Sequence, residues 1–245
     1  MKLILNNRWT RDAVFSKMLR LKLGLEEMEP SQRRRWFDEA PHVANYATEE
    51  MQFDFRAMDL TGHKVGEVNL SSCVMDEGIF VGCHFLCTQF QESSARHANF
   101  IDSQFNAVQM SPFFAKGANF SRCTFSKSFA TGHGSRNPDT GIWSYPHALS
   151  DFSQCDFGGV TAHDTYFDRC DFRGSNFSCA SFCGCSFNVS DLRDVNLNGC
   201  EFVQCDFDRV SLTDTEQNRR AVESAGRNKN IDQIRWEPPE VDKLP

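Results

Sequence analysis

Residues 170–187 read CDFRGSNFSCASFCGCSF, and the four phenylalanines in this stretch, Phe172, Phe177, Phe182 and Phe187, stand five apart. Neither the helical period of 3.6 nor the strand period of two puts a large apolar side chain at every fifth position. A chain that runs extended for a few residues and then turns a corner does. The same step runs back through Phe167, Ala162, Phe157 and Phe152, and forward through Leu192, Leu197, Phe202, Phe207 and Leu212. An earlier run, two residues out of step, comprises Phe55, Leu60, Val65, Leu70, Met75, Phe80, Phe85, Phe90, Ala95, Phe100, Phe105, Met110, Ala115, Phe120 and Phe125. Of the 23 Phe, 17 occupy these 28 positions, where chance would place about three.

Two residues before most frame positions stands a small side chain, among them Cys73, Cys83, Cys123, Cys155, Cys170, Cys185, Cys200 and Cys205. Residues two apart in a strand share a face, so the small residue and the Phe both point inward and the residue between them points out. That middle position is Asp or Asn in Asp54, Asp59, Asn69, Asn99, Asn119, Asp156, Asp171, Asn176 and Asp206. Eight of the 11 cysteines are thereby lattice residues and not a bridge pattern. An odd thiol count suits a reducing compartment. The opening MKLILNNRWT has too short an apolar run for a secretory or spanning segment, so a cytoplasmic location is expected.

The runs CDFRGSNFSCASFCGCSF and NVSDLRDVNLNGCEFVQCDF resemble the pentapeptide-repeat family, whose unit is a small residue, Asp or Asn, Leu or Phe, and two variable residues. The resemblance spans about 53–128 and 150–214. It implies an all-β fold, a right-handed quadrilateral parallel β-helix in which four units make a 20-residue coil. The 28 units then give about seven coils and a rod roughly 33 Å long at a strand spacing of about 4.8 Å. Leu60, Phe80, Phe100 and Phe120 should form one internal ladder, and Phe167, Phe187 and Phe207 another. The organisation expected is an N-terminal cap (1–52), a first repeat block (53–130), an inserted loop (131–148), a second block (149–214), and a C-terminal helix and tail (215–245).

Departures from the lattice mark candidate functional positions. Ala95 and Ala115 stand where Phe55 and Met75 set a large residue, and Phe113 stands where a small one belongs, so SPFFAKG (111–117) is read as a distorted side with a bulge or bend. The segment TGHGSRNPDTGIWSYPHA (131–148) breaks the frame and reads as a loop. Its Arg136, Trp143 and Tyr145 are residue types that dominate interfaces, and with Phe113 and Phe114 they make the expected partner-binding set. In the N-terminal cap, SQRRRWFDEA (31–40) suggests a short helix paired by Arg34 with Asp38 and Arg35 with Glu39. After the last unit, Asp214 and Gln217 bracket a helix start, and Ile231, Ile234 and Trp236 either pack on that helix or form a homodimer contact.

No group of residues converges in the manner of an active site. His84 and His163 should point outward, and Cys183 and Cys185 lie on opposite sides of the lattice, the first outside it and the second inward, so neither a metal nor a cofactor is expected. The net charge of −7 arises in the second block, where 11 acids face 4 bases across 149–214, against 7 and 6 across 53–128. The reading is a non-enzymatic scaffold for a protein partner, with no direct nucleic-acid or membrane binding. The resemblance supplies the alternative: some members of the family are acidic rods that imitate DNA and protect DNA gyrase or topoisomerase from drugs or toxins. Asp151, Asp171 and Asp191, at equivalent positions of successive coils, would form such an acidic ladder, although Arg173 and Arg193 stand beside it.

Overall fold

The computed structural model describes residues 42–44, 51–66, 70–71, 73–136, 143–148, 150–223 and 227–239; for 42–44, 51–54, 133–136 and 143–148 it describes the backbone alone. The five-residue frame folds into a parallel β-solenoid with four sides. The first side is a ten-stranded sheet that includes Cys73–Val74, Ser93–Ser94, Phe113–Phe114, Ser150–Asp151, Cys170–Asp171 and Asp191–Leu192. The third is a seven-stranded sheet running from Lys64–Gly66 to Glu201–Val203, one strand per coil. Single bridges join the coils on the other two sides: Asp59, Ile79, Asn99, Asn119, Asp156, Asn176 and Asn196 on the second, and Gln89, Gln109, Phe129, Tyr166, Ser186 and Asp206 on the fourth. The third side thus counts seven coils, and flanking strands bring the rod to about 8 turns.

The interior is a set of aromatic ladders, because equivalent residues of successive coils lie directly above one another. Phe100 stacks on Phe80 and on Phe120 at 4.8 Å each, and Phe120 continues to Phe157 at 5.0 Å. Phe167, Phe187 and Phe207 stack at 5.3 and 5.8 Å. All these rings are buried, while Leu60 at the first coil is only partly covered. The small inward residues satisfy the backbone between ladders. Ser103 Oγ donates to the Phe80 carbonyl at 2.5 Å and accepts from the Cys83 N–H at 2.9 Å; Cys123 Sγ donates to the Phe100 carbonyl at 2.8 Å. A larger side chain would displace the ring, and a purely apolar one would orphan these groups.

The Asp and Asn positions have a local cause. On the first and second sides their side-chain oxygen accepts the N–H two residues on, closing the corner: Asp59 from Thr61 at 2.9 Å, Asp151 from Ser153 at 3.0 Å, Asp156 from Gly158 at 2.9 Å, Asp191 from Arg193 at 3.1 Å and Asn196 from Asn198 at 3.1 Å. Corners then take a residue at positive φ. Gly117 (φ 69°) shows why this is glycine in one coil, since a Cβ there would lie 2.6 Å from the His97 ring.

Two expectations are corrected. The Ser111–Pro112 bond is cis, but SPFFAKG carries no bulge: Ser93 and Ser94 pair with Phe113 and Phe114 in register, and Phe114 continues to Asp151. The volume exchange happens inside instead. Phe113 is buried against Phe90 (5.6 Å) and Phe152 (6.0 Å) and fills the space that Ala95 and Ala115 leave. Segment 131–148 is also more regular than a loop, because His133–Arg136 and Trp143–Ala148 pair as an antiparallel hairpin.

At the first coil, His42–Ala44 runs antiparallel to Met51–Asp54 and covers the sheet edge; the other readings for 1–50 lie outside the described residues. At the last coil, helix Glu216–Glu223 buries Ala221 and Val222. Its cap is Thr215, whose Oγ1 accepts the Asn218 N–H at 3.1 Å, while Asp214 pairs with Arg219 at 2.7 Å. Strand Arg235–Glu237 lies parallel to Ser211–Thr213, with Ile234 buried, Ile231 and Trp236 packed on the core, and Arg219 4.3 Å above the Trp236 ring. Ala225, Gly226 and 240–245 lie outside the described residues.

Candidate interaction surface

The hairpin leaves the rod at one definable point. On the third side Gln104 pairs with Thr124 in the ordinary coil register, but Thr124 pairs with Thr161, so the coil between them carries the insertion. It falls between Phe129 on the fourth side and Ser150 on the first. Its base is fastened by Ser150 Oγ, which donates to the Thr131 carbonyl at 2.8 Å, and by the Gly132 N–H bonded to the Asp168 carbonyl at 2.9 Å. Arg136, Trp143 and Tyr145 therefore belong to the paired strands of the hairpin, with Arg136 opposite Trp143. Of the rest of the expected set, Phe113 is buried in the core and has no surface to offer, whereas Phe114 is partly exposed on the first side.

Next to the hairpin lies a feature that the frame-breaking residues did not announce. Phe129 and Tyr166 are 45% and 46% exposed and stacked on each other at 5.2 Å with an interplanar angle of 3°. They occupy the outward position on the fourth side, directly above one another across the insertion. Corners after the fourth side do not rely on the side-chain closure seen elsewhere; among the described residues there, only Asp206 accepts an N–H two residues on. The turn therefore does not dictate what stands at 129 and 166, and two exposed aromatics there are not a requirement of folding. The signal was present in the lattice: both residues sit between inward neighbours, Ser128 and Ala130, and Thr165 and Phe167.

The acidic row aligns as its spacing implies, with Asp151, Asp171 and Asp191 in register. Its charge is largely engaged. Arg173 grips Asp171 through Nε (2.9 Å) and Nη2 (2.6 Å), and Arg193 holds Asp191 in the same way. Burial pushes the Asp171 carboxyl up, but the Arg173 guanidinium and backbone N–H outweigh it and hold the group below the usual carboxylate range. Asp151 is bound by the Ser153 N–H and hydroxyl. A shallow groove of about 460 Å³ runs beside this row past Lys116, Gln154, Arg173, Arg193 and Glu237, one or two residues per coil, with no converging set.

The remaining chemistry is quiet. No group of three or more His, Cys, Asp or Glu among the described residues is placed to hold a metal ion. His84 and His163 are exposed, Cys185 is buried and Cys183 half-buried, as the lattice implies. Burial pushes the Cys73, Cys123, Cys155, Cys170 and Cys200 thiols well above their usual range, so they stay protonated and inert. No helix among the described residues is long and apolar enough to cross a membrane.

A family model described as pentapeptide repeats (8 copies) matches residues 150–188 and 190–216. Among solved structures, a trypsin-treated variant of QnrB1, a plasmid-mediated fluoroquinolone resistance protein, is 14% identical, with a TM-score of 0.50 over 78% of each chain. HetL, a pentapeptide repeat protein involved in heterocyst differentiation regulation from the cyanobacterium Nostoc sp., is 14% identical with a TM-score of 0.32, over 68% of this chain and 87% of its own. A pentapeptide repeat protein from the Arabidopsis thaliana thylakoid lumen is 16% identical with a TM-score of 0.30, over 59% and 71%. No curated protein matches by sequence. The second block thus matches the pentapeptide-repeat family model, and the first block coils in the same register.

Proposed function

We propose that this protein is a non-enzymatic cytoplasmic scaffold that binds a protein partner over the hairpin and the adjoining fourth side. The observation that carries this reading is the coincidence of two features that folding does not demand, the inserted hairpin and the exposed Phe129–Tyr166 stack. Aromatic surface at a protruding, shape-specific corner is where binding energy concentrates. Free thiols at all 11 cysteines suit a reducing compartment. The test is affinity capture from native cytosol with wild type and with a variant whose residues 133–146 are replaced by a short Gly-Ser linker. A specific partner retained by wild type and lost by the variant supports the reading; equal retention refutes it.

The excess of acid in the second block supports a second reading, a DNA-mimic rod acting on DNA gyrase or topoisomerase. The arginine pairing of Asp171 and Asp191 speaks against those carboxylates as free phosphate substitutes. Inhibition of supercoiling by purified gyrase, with a steep salt dependence, tests it; no effect at large excess removes it. A homodimer through the C-terminal segment would use the outer edge of strand Arg235–Glu237, and sedimentation across a concentration series tests that arrangement.

A further inference from the structure

We propose that Asn198 is a modification site, deamidated spontaneously by attack of the Gly199 backbone nitrogen on its side-chain amide. Asn198–Gly199 is the single Asn–Gly pair of the chain, and both residues are exposed. They form the corner after the second side, with Gly199 at φ 64°. In each earlier coil the residue equivalent to Gly199 gives its N–H to the next coil; Gly159 reaches the Ser178 carbonyl and Cys179 the Asn198 carbonyl, both at 2.8 Å. The bridges of the second side end at Asn196, and helix Glu216–Glu223 faces the last coil there instead. The Gly199 N–H consequently has no hydrogen-bond partner among the described residues.

An amide nitrogen must shed its proton to act as a nucleophile, and one whose N–H is held by a carbonyl must first give up that bond. Glycine also brings no Cβ to crowd the approach. The electrophile is prepared as well. Gln217 Nε2 donates to Asn198 Oδ1 at 3.1 Å, which draws electrons from Cγ and stabilises the charge that grows on the oxygen. Asn198 Nδ2 makes no hydrogen bond among the described residues and is free to leave. A shallow groove of about 410 Å³, lined by Asn198, Gly199, Gln217 and Arg220, gives water access. The Gly199 nitrogen loses its proton to hydroxide, the N–Cγ bond forms, the Cγ–Nδ2 bond breaks, and Nδ2 departs as ammonia with a proton from water. One further water opens the cyclic imide at either carbonyl, leaving aspartate or isoaspartate. Isoaspartate lengthens the corner by a methylene and turns the carbonyl that accepts the Cys179 N–H into a free carboxylate, which loosens the last coil.

The experiment ages the full chain at mildly alkaline pH and reads its peptides by mass spectrometry for replacement of the amide –NH2 by –OH, with enzymatic methylation marking isoaspartate. Asn198 should convert before any other asparagine of the solenoid, and faster as hydroxide rises. Gly199→Ala should slow the conversion about tenfold yet fold normally, since Asp102, Arg122 and Cys179 hold the equivalent corner at positive φ. Ala107→Gly places a second Asn–Gly pair at Asn106, which is also exposed, but there the residue 107 N–H donates to the Ser126 carbonyl at 2.9 Å. Asn106 of that variant should stay intact in the folded protein and convert in urea. Native Asn198 that survives ageing, or native Asn106 that converts as fast as Asn198 in Ala107→Gly, would overturn the inference. Aged protein should also let a thiol reagent reach Cys200, the buried residue after Gly199. Isoaspartate at 198 with Cys200 still protected would refute the loosening of the last coil.

Discussion

Replacing Phe100 by alanine tests the ladder that the fold depends on. The ring is fully buried and sandwiched between Phe80 and Phe120 at 4.8 Å on both faces, so truncation removes the burial of one aromatic side chain and two stacking contacts. Core Phe→Ala changes cost about 3–5 kcal/mol, and the rigid coils above and below cannot close the gap, so about 4 kcal/mol is expected. That is a large share of a domain stability of about 5–15 kcal/mol. The matched control is Asn99→Ala, one residue earlier and outward, which loses one hydrogen bond of 3.2 Å to the Ile101 N–H and should cost about 0.5–1 kcal/mol. Urea unfolding followed by circular dichroism gives both values by linear extrapolation. Because coils interact chiefly with their neighbours, Phe100→Ala should also broaden the transition as the rod uncouples at the third coil. Equal costs for the two variants would show that the inward register is wrong, and α-helical circular dichroism would refute the solenoid itself.

Thiol labelling of the native protein should modify exposed Cys87 and Cys179 first and Cys183 more slowly, with the eight buried cysteines reacting only after denaturation; rapid labelling of Cys123 or Cys155 would refute the lattice. Asp168→Asn should leave the melting temperature unchanged or raise it at neutral pH, because the folded-state carboxyl is raised and its ionisation opposes folding until pH falls through that value. Asp171 has the opposite sign: its depressed carboxyl stabilises the fold above the unfolded value of about 3.9, and this is lost as pH falls through the lower folded value, so Arg173→Gln should move acid unfolding to higher pH. Phe172→Asp should unfold the protein; Arg173→Asp, which sequence spacing alone would make silent, should lower the melting temperature by setting a second acid against Asp171. Replacing 133–146 by a Gly-Ser linker should leave the melting temperature nearly unchanged, and a large fall would make the hairpin a structural cover.

Sequence alone determined the coil, because a five-residue unit is a local instruction: inward Phe, small inward neighbour, outward Asp or Asn, corner. Each is satisfied within its own coil or the next, which is why the internal ladders, the seven coils and the inward thiols could be read from spacing. The insertion was legible as a loss of frame, since the step from Thr124 to Thr161 is not a multiple of five, but its pairing as a hairpin was not; Gly, Pro and Asn signal a turn without fixing which backbones meet across it. Tertiary structure decided the rest. Phe113 violates the pattern, which suggests a surface role, yet it is buried against Phe90 and Phe152. The spacing sets Arg173 and Arg193 beside the row of Asp171 and Asp191, but only the folded corner shows each carboxylate committed to both a backbone N–H and its arginine. Phe129 and Tyr166 become one aromatic surface because the chain, after the inserted hairpin, returns to the same side in register. Periodicity records what a residue does for its own coil, whereas a binding surface is made by residues that owe nothing to it.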